Sequence, residues 1–238
     1  MQAQQTWAAR TFQGLAVVLG LLQYEAAALG SDAVEEMLDE LEIDAPPEGI
    51  VAPEAFSGST AAGADDMVGY LESMDSLVDL EMATITELLD AARTAEQAAI
   101  AARPKVTGYV RHVIAPCCSR CAILAGRVYR YSEGFQRHPN CKCFHTPVTG
   151  DVADELIQDP MELFKSGAIH DLTVAEDEAI KMGADIADVI NIRRKSAGLK
   201  VAGRVLERGN RLTVEGILHL ATDRDEAIDL LTRTGYIR

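Results

Sequence analysis

All five cysteines of the chain lie between Cys117 and Cys143, in two tight clusters: Cys117, Cys118 and Cys121, then Cys141 and Cys143. Zinc binds thiolate sulfur and imidazole nitrogen in a tetrahedron, and short loops deliver its ligands in pairs. Cys118-Ser-Arg-Cys121 is a C-x2-C turn that aims two sulfurs at one metal, and His138-Pro-Asn-Cys141-Lys-Cys143 follows after sixteen residues. One ligand set is Cys118, Cys121, His138 and Cys141. Cys143, on the same side as Cys141 if the segment is extended, can replace either of the first two. Cys117 adjoins Cys118 and points away, and His145 is a further candidate. Nearby lysines and arginines help keep thiolates ionised. The expected cofactor is therefore a structural zinc.

Other thiol chemistries fit less well. An odd number of cysteines in two tight clusters does not suit a disulfide framework and points to a reducing compartment. A metal-free cluster of buried thiols is one alternative. A thiol redox enzyme using Cys118 and Cys121 is another, but it needs a βαβ setting, and the rest of a thioredoxin-like pattern is absent. A catalytic zinc needs an open coordination position and a general base, and Glu133, the one carboxylate between residues 101 and 150, is not marked out for that role. No Gly-rich phosphate loop, G-x-S-x-G or H-E-x-x-H is present. The chain reads as a non-enzyme, with no catalytic and no organic cofactor-binding residues.

The charge distribution sets this cluster apart. The 238 residues carry a net charge of −15, but residues 1–100 carry −17, residues 101–150 carry +7 and residues 151–238 carry −5. A basic island sits between two acidic arms. Acidic arms disfavour wrapping nucleic acid along the whole molecule, while the island, through residues such as Arg111, Arg120, Arg127 and Arg137, can meet phosphate or an acidic protein surface. Hydrophobic residues at 48% and charged residues at 25% are ordinary for a globular chain with a real core. No apolar run approaches 18 residues, so no membrane span or membrane partner is expected. Leu15–Leu22 reads as part of an amphipathic helix rather than a signal peptide.

The elements that must position the cluster follow from periodicity. Residues 2–29 read as a helix, Ser31 as the N-cap of a second, short acidic helix to about Glu42, and Pro46-Pro47 and Pro53 as breaks. From Ala64 to Ala102 apolar residues recur at helical spacing, and Arg103-Pro104 ends the run. Val106–Ile114, Arg127–Tyr131 and Phe144–Val148 read as strands, with a turn and one helical turn between Cys117 and Gly126. Beyond lie short helices: one capped by a Thr173/Glu176 box and stopped at Gly183, one from Asp185 to about Arg194, one from Thr213, and one with an Asp223/Glu226 box closed by Gly235. Leu199–Arg211 reads as a loop or hairpin. The fold class is α+β: mostly helical N-terminal and C-terminal parts around a small β-rich Cys/His module, divided as an acidic helical region 1–102, the module 103–150 and a helical region 151–238.

The island also resembles a known family. Arg103-Pro-Lys-Val-Thr-Gly-Tyr-Val-Arg111, Cys118-Ser-Arg-Cys-Ala-Ile-Leu-Ala-Gly-Arg127 and Gly134-Phe-Gln-Arg-His-Pro-Asn-Cys-Lys-Cys143 resemble the MuF-like minor head proteins of tailed phages, those of actinobacteriophages most. So do Gly183-Ala-Asp-Ile-Ala-Asp-Val-Ile-Asn-Ile-Arg-Arg194, Arg211-Leu-Thr-Val-Glu-Gly-Ile-Leu218, Asp225-Glu-Ala-Ile-Asp-Leu-Leu231 and Gly235-Tyr-Ile237. The likeness covers about residues 100–238. The family commonly has His-Ile-Pro where this chain has His145-Thr-Pro147. The resemblance implies a minor capsid protein made in the bacterial cytoplasm and packaged into the virion head. There it would associate with portal and major capsid proteins, in few copies, and act in head morphogenesis and in genome packaging or ejection, with packaged DNA as a further partner of residues 103–150. Some members are fused to a capsid protease; no protease constellation is found here, and that activity is not carried over. The rival reading is a zinc-ribbon-like nucleic-acid binder.

Overall fold

The computed structural model describes the backbone of residues 2–58, 61–135, 138, 141–150, 154–194, 200–201, 204–205, 207–208 and 211–238, and the side chains of 12–58, 67–135, 138, 141–150, 154–193 and 211–238. Arg137, Pro139, Asn140 and Lys195 fall outside these residues; in the stretch 199–211, expected as a loop or hairpin, Lys200–Val201 pairs antiparallel with Arg204–Val205 and Glu207–Arg208 with Arg211–Leu212. The fold is α+β, as the sequence predicts, and divides into two compact units: residues 1–113 with 126–157, and residues 114–125 with 158–238.

The first unit is built on α1 (Gln2–Glu40), α2 (Ala61–Glu72) and α3 (Leu77–Ala101). The expected break at Ser31 does not occur, and α1 runs through it. The reason lies in its neighbour, Gly30. A Cβ on Gly30 would stand 2.2 Å from the Ala92 carbonyl oxygen. The glycine therefore lets α1 press against the backbone of α3 instead of stopping a helix. The single helix expected over 64–102 is two, because Ser76 caps α3 by accepting from the Asp79 amide at 3.1 Å. At the far end the Arg103 side chain donates to the Ala99 carbonyl at 2.8 Å, satisfying an acceptor the last helical turn leaves open.

An 18-residue stretch of α1 within Phe12–Glu40 is apolar enough, and the helix long enough, to cross a membrane, although no single apolar run suggested it. Within this unit one side of it is packed. Ala16 and Leu19 are buried with Leu71 of α2, and Val34 and Leu38 with Ala99 and Ile100 of α3. Gln23 is tied down on both sides, donating to Glu87 at 3.1 Å and accepting from the Gly58 amide at 2.8 Å.

A three-stranded antiparallel sheet completes the unit: β1 (Gly108–His112) lies between β2 (Val128–Arg130) and β3 (Phe144–Val148). In the register, Tyr109 opposes Tyr129 and Pro147, and Arg111 opposes His145. Side chains alternate along a strand, so Tyr109, Arg111 and His145 share one face and His112 and Phe144 the other. The first face meets the helices: Tyr109 is buried in the same core as Val34, Leu38, Ala99 and Ile100.

The second unit contains α4 (Ser119–Ala122) and the helices α5 (Pro160–Lys165), α6 (Val174–Lys181), α7 (Ile186–Asn191), α8 (Val214–Leu220) and α9 (Arg224–Arg233). Its punctuation follows the sequence. Thr173 and Glu176 form the reciprocal capping box, and Asp185 and Thr213 cap α7 and α8. Gly183 and Gly235 take positive φ after their helices, a conformation glycine adopts without steric cost. The second box is half formed: Asp223 caps α9, but the Glu226 carboxylate accepts from the amide and hydroxyl of Thr222, not from Asp223. The core gathers Ile123 with Ile180, Ile190, Ile217, Leu231 and Tyr236.

Candidate metal centre

The C-x2-C turn belongs to the second unit and is fixed from below. Cys118 is the N-cap of α4, its sulfur accepting from the Cys121 amide at 3.3 Å. Ser119, between them, donates from its amide and its hydroxyl to the Asp171 carboxylate, at 2.5 and 3.0 Å. Arg193 donates to the Ser119 hydroxyl at 2.9 Å and reaches Asp171 at 3.2 Å, while its Nε donates to Glu176 at 2.7 Å. Partial burial pushes the Asp171 carboxyl up, but the Ser119 bonds and the Arg193 charge outweigh it and hold the group below its ordinary value. Arg193 is thus a structural hub. Cys117 is buried, its backbone bridged to Ile169, and it takes no part in the ligand groups described below.

The second half of the constellation belongs to the first unit. The Cys141 amide donates to the His138 carbonyl at 3.0 Å, closing the H-x2-C segment into a turn. Cys141 and Cys143 are buried and Lys142 between them is exposed, the alternation of an extended chain running into β3. Cys143 therefore shares a face with His145, and through the register with Arg111. Arg93 on α3 holds this segment by its main chain, donating from Nε to the Cys143 carbonyl at 2.6 Å and from a terminal nitrogen to the Cys141 carbonyl. Arg111 lies against the sulfurs: its terminal nitrogen is 3.3 Å from Cys143 Sγ and 4.0 Å from Cys141 Sγ. The guanidinium carbon sits 4.0 Å above the Phe135 ring centroid.

Each unit holds a sulfur pair that suits a metal ion, Cys118 with Cys121 in the second and Cys141 with Cys143 in the first, the two sulfurs of each pair lying within 4.8 Å of one another. In a zinc tetrahedron with 2.3 Å bonds two sulfurs stand about 3.8 Å apart, so small side-chain adjustments bring each pair to bonding positions. Cys121, Cys141 and Cys143 are 3%, 1% and 0% exposed, whereas His138 is exposed. His138 lies on the turn before Cys141, and the other four residues the spacing marks out belong to these pairs. His145 does not: its Nδ1 lies 2.7 Å from Glu96 Oε2 in a buried pair, and its ring meets Tyr109 edge-on at 4.5 Å.

The residues that sequence reasoning missed are the supporting ones. Arg111, read as a phosphate contact of the basic island, is 1% exposed and cannot serve as one. Its phase with Tyr109, two residues back on a strand, was the available signal. Arg93 was legible as an isolated basic residue in a strongly acidic helical region, three residues before Glu96. Glu133 is occupied locally, its carboxylate accepting from the Arg130 amide at 3.3 Å. In the first unit the basic side chains of the island left exposed are Lys105, which pairs with Asp44 at 2.7 Å, and Arg127, Arg130 and Lys142 among the described residues.

No family model, curated protein or solved structure matches the chain.

Proposed function

We propose that the chain is a structural head protein of a tailed phage, a MuF-like minor capsid protein, in which the Cys/His constellation holds one structural zinc. The family part of the reading rests on the quoted segments, in order, across residues 103–143 and 183–237. The zinc part is supported by one observation above all: two sulfur pairs, Cys118 with Cys121 and Cys141 with Cys143, each within 4.8 Å. Zinc bound there neutralises thiolate charge and ties together chain segments that are distant in sequence. The zinc itself would be held by four of Cys118, Cys121, His138, Cys141 and Cys143. The chain's own residues do the remaining work, the Ser119–Asp171–Arg193 network fixing one ligand turn and Arg93 the other.

In this role the protein works through surfaces, not turnover, and meets portal and major capsid proteins. Packaged DNA would be met by Arg127, Arg130 and Lys142, exposed around the edge strand β2 and the ligand turn. Mass spectrometry of purified virions and of portal-containing heads tests this reading. It predicts the chain in heads, at few copies relative to the major capsid protein. Its presence in infected cells but absence from heads would contradict it.

The rival, a zinc-ribbon-like nucleic-acid binder, draws on the same three exposed cations. It treats the module as self-sufficient, yet Tyr109 packs on α1 and α3, and Arg93 of α3 holds the ligand segment. Salt-dependent, high-affinity DNA binding by the full chain, together with its absence from heads, would favour the rival.

A further inference from the structure

We propose that Arg111 is a positioning residue of the metal centre, which fixes Cys143 as one of the metal ligands by donating an N–H···S hydrogen bond to its bound sulfur. The proposal rests on the metal reading above and goes beyond it by choosing among the candidate ligands and naming the group that supports the choice.

The argument starts from charge. Two thiolates neutralise a divalent zinc, and each further thiolate leaves a net negative charge on the centre. Cys141 and Cys143 are 1% and 0% exposed, so that charge would sit where water cannot solvate it, and burying it needs a compensating partner. The Arg111 guanidinium, itself 1% exposed, is placed to provide one, 3.3 Å from Cys143 Sγ and 4.0 Å from Cys141 Sγ. The requirement is reciprocal, because a buried guanidinium also needs negative charge beside it, and metal-bound thiolates supply it.

Geometry selects Cys143 in particular. Arg111 is opposite His145 in the β1–β3 register, and Cys143, two residues before His145, lies on the same face. Arg93 pins the Cys143 carbonyl, so the main chain cannot turn the sulfur away. The Phe135 ring, 4.0 Å from the guanidinium carbon, fixes the orientation of the Arg111 fork. Partners of this kind orient metal ligands and tune the centre, and their removal typically costs about 10–100-fold in metal affinity.

Cobalt(II) titration of the full-length apoprotein provides the test, read by the thiolate-to-cobalt charge-transfer band, whose intensity follows the number of bound sulfurs. Wild type should bind one equivalent. Cys143→Ser should lower the band by one thiolate's share, while His138→Ala should leave it unchanged. Arg111→Lys, which keeps the charge but loses the planar fork, should still bind, with a shifted band and affinity reduced about 10-fold in chelator competition; Arg111→Met should lose about 100-fold. If wild type takes up cobalt but Cys143→Ser leaves the band unchanged, or a folded Arg111→Lys protein shows neither the shift nor the affinity loss, the inference is overturned while the metal reading stands. If wild type takes up no metal at all, the metal reading falls and the inference with it.

Discussion

Arg93 and Cys143 are fifty residues apart in the chain, yet the Arg93 Nε donates to the Cys143 carbonyl at 2.6 Å, with both groups buried. A second nitrogen of the same guanidinium serves the Cys141 carbonyl. The long acidic helical region and the ligand segment are therefore parts of one cooperative unit, because a helix side chain satisfies carbonyls that an irregular segment leaves open. Arg93→Ala removes both donors at once and should destabilise the protein by about 3 kcal/mol. Arg93→Lys, with one compact ammonium in place of a fork, should recover part of that loss. Denaturant unfolding of the two variants measures both effects, and a loss below about 0.5 kcal/mol for Arg93→Ala would show that the contact carries no weight.

The crossing at Gly30 gives a prediction of opposite sign to helix propensity. Placing alanine in a helix interior normally stabilises it by about 1 kcal/mol over glycine. Here the added methyl would meet the Ala92 carbonyl oxygen at 2.2 Å and the Ala92 carbonyl carbon at 2.8 Å, both backbone atoms. Gly30→Ala should therefore force α1 away from α3 and lower stability by about 1–3 kcal/mol, as overpacking does. Thermal unfolding decides it: an unchanged or higher midpoint would mean that the two helices do not cross there.

Tyr236 offers a titration test in the second unit. Its hydroxyl donates to the Leu212 carbonyl at 2.8 Å, and the Arg211 guanidinium stands 3.9 Å over its ring. Burial pushes its phenol up to about 12, against a smaller downward pull from Arg211. A folded-state value raised above the unfolded one means that this group's contribution is fully present below about pH 10 and is lost as pH rises through the folded value. Ultraviolet titration should show a late tyrosinate phase, and Tyr236→Phe should lower its amplitude by one tyrosine. Phenylalanine there should also cost about 1 kcal/mol, the share of one hydrogen bond. A titration in which every tyrosine ionises near pH 10 would contradict the burial of this ring.

Local signals carried the sequence reading far in some places and misled it in others. The three strands, the Thr173 box, the Asp185 and Thr213 caps and the one-turn helix at Cys118 were legible because each is decided within a few residues by alternation or a capping side chain. The continuous helix through Ser31 was not. A serine followed by acidic residues carries a start signal, and only a partner 62 positions away, at Ala92, shows why Gly30 is there. The break between α2 and α3 was missed for the opposite reason, since the apolar periodicity on either side of Ser76 hid a real cap. At the candidate centre the ligand types were legible from spacing and the supporting residues were not. Arg111 and Arg93 are charged, and composition assigns charge to the surface. Only the sheet register and the packing of α3 show that these two arginines face inward, onto the cysteine-bearing segment that leads into β3.

The metal content of the full-length protein, purified under reducing conditions and measured by elemental mass spectrometry beside a thiol-blocked control, tests the central claim most directly. The account predicts one zinc per chain, and its loss together with native near-ultraviolet circular dichroism when Cys121 is changed to serine. A folded protein with no bound metal and with Cys121, Cys141 and Cys143 open to alkylation after mild unfolding would contradict it, and would identify the cluster as a set of buried thiols.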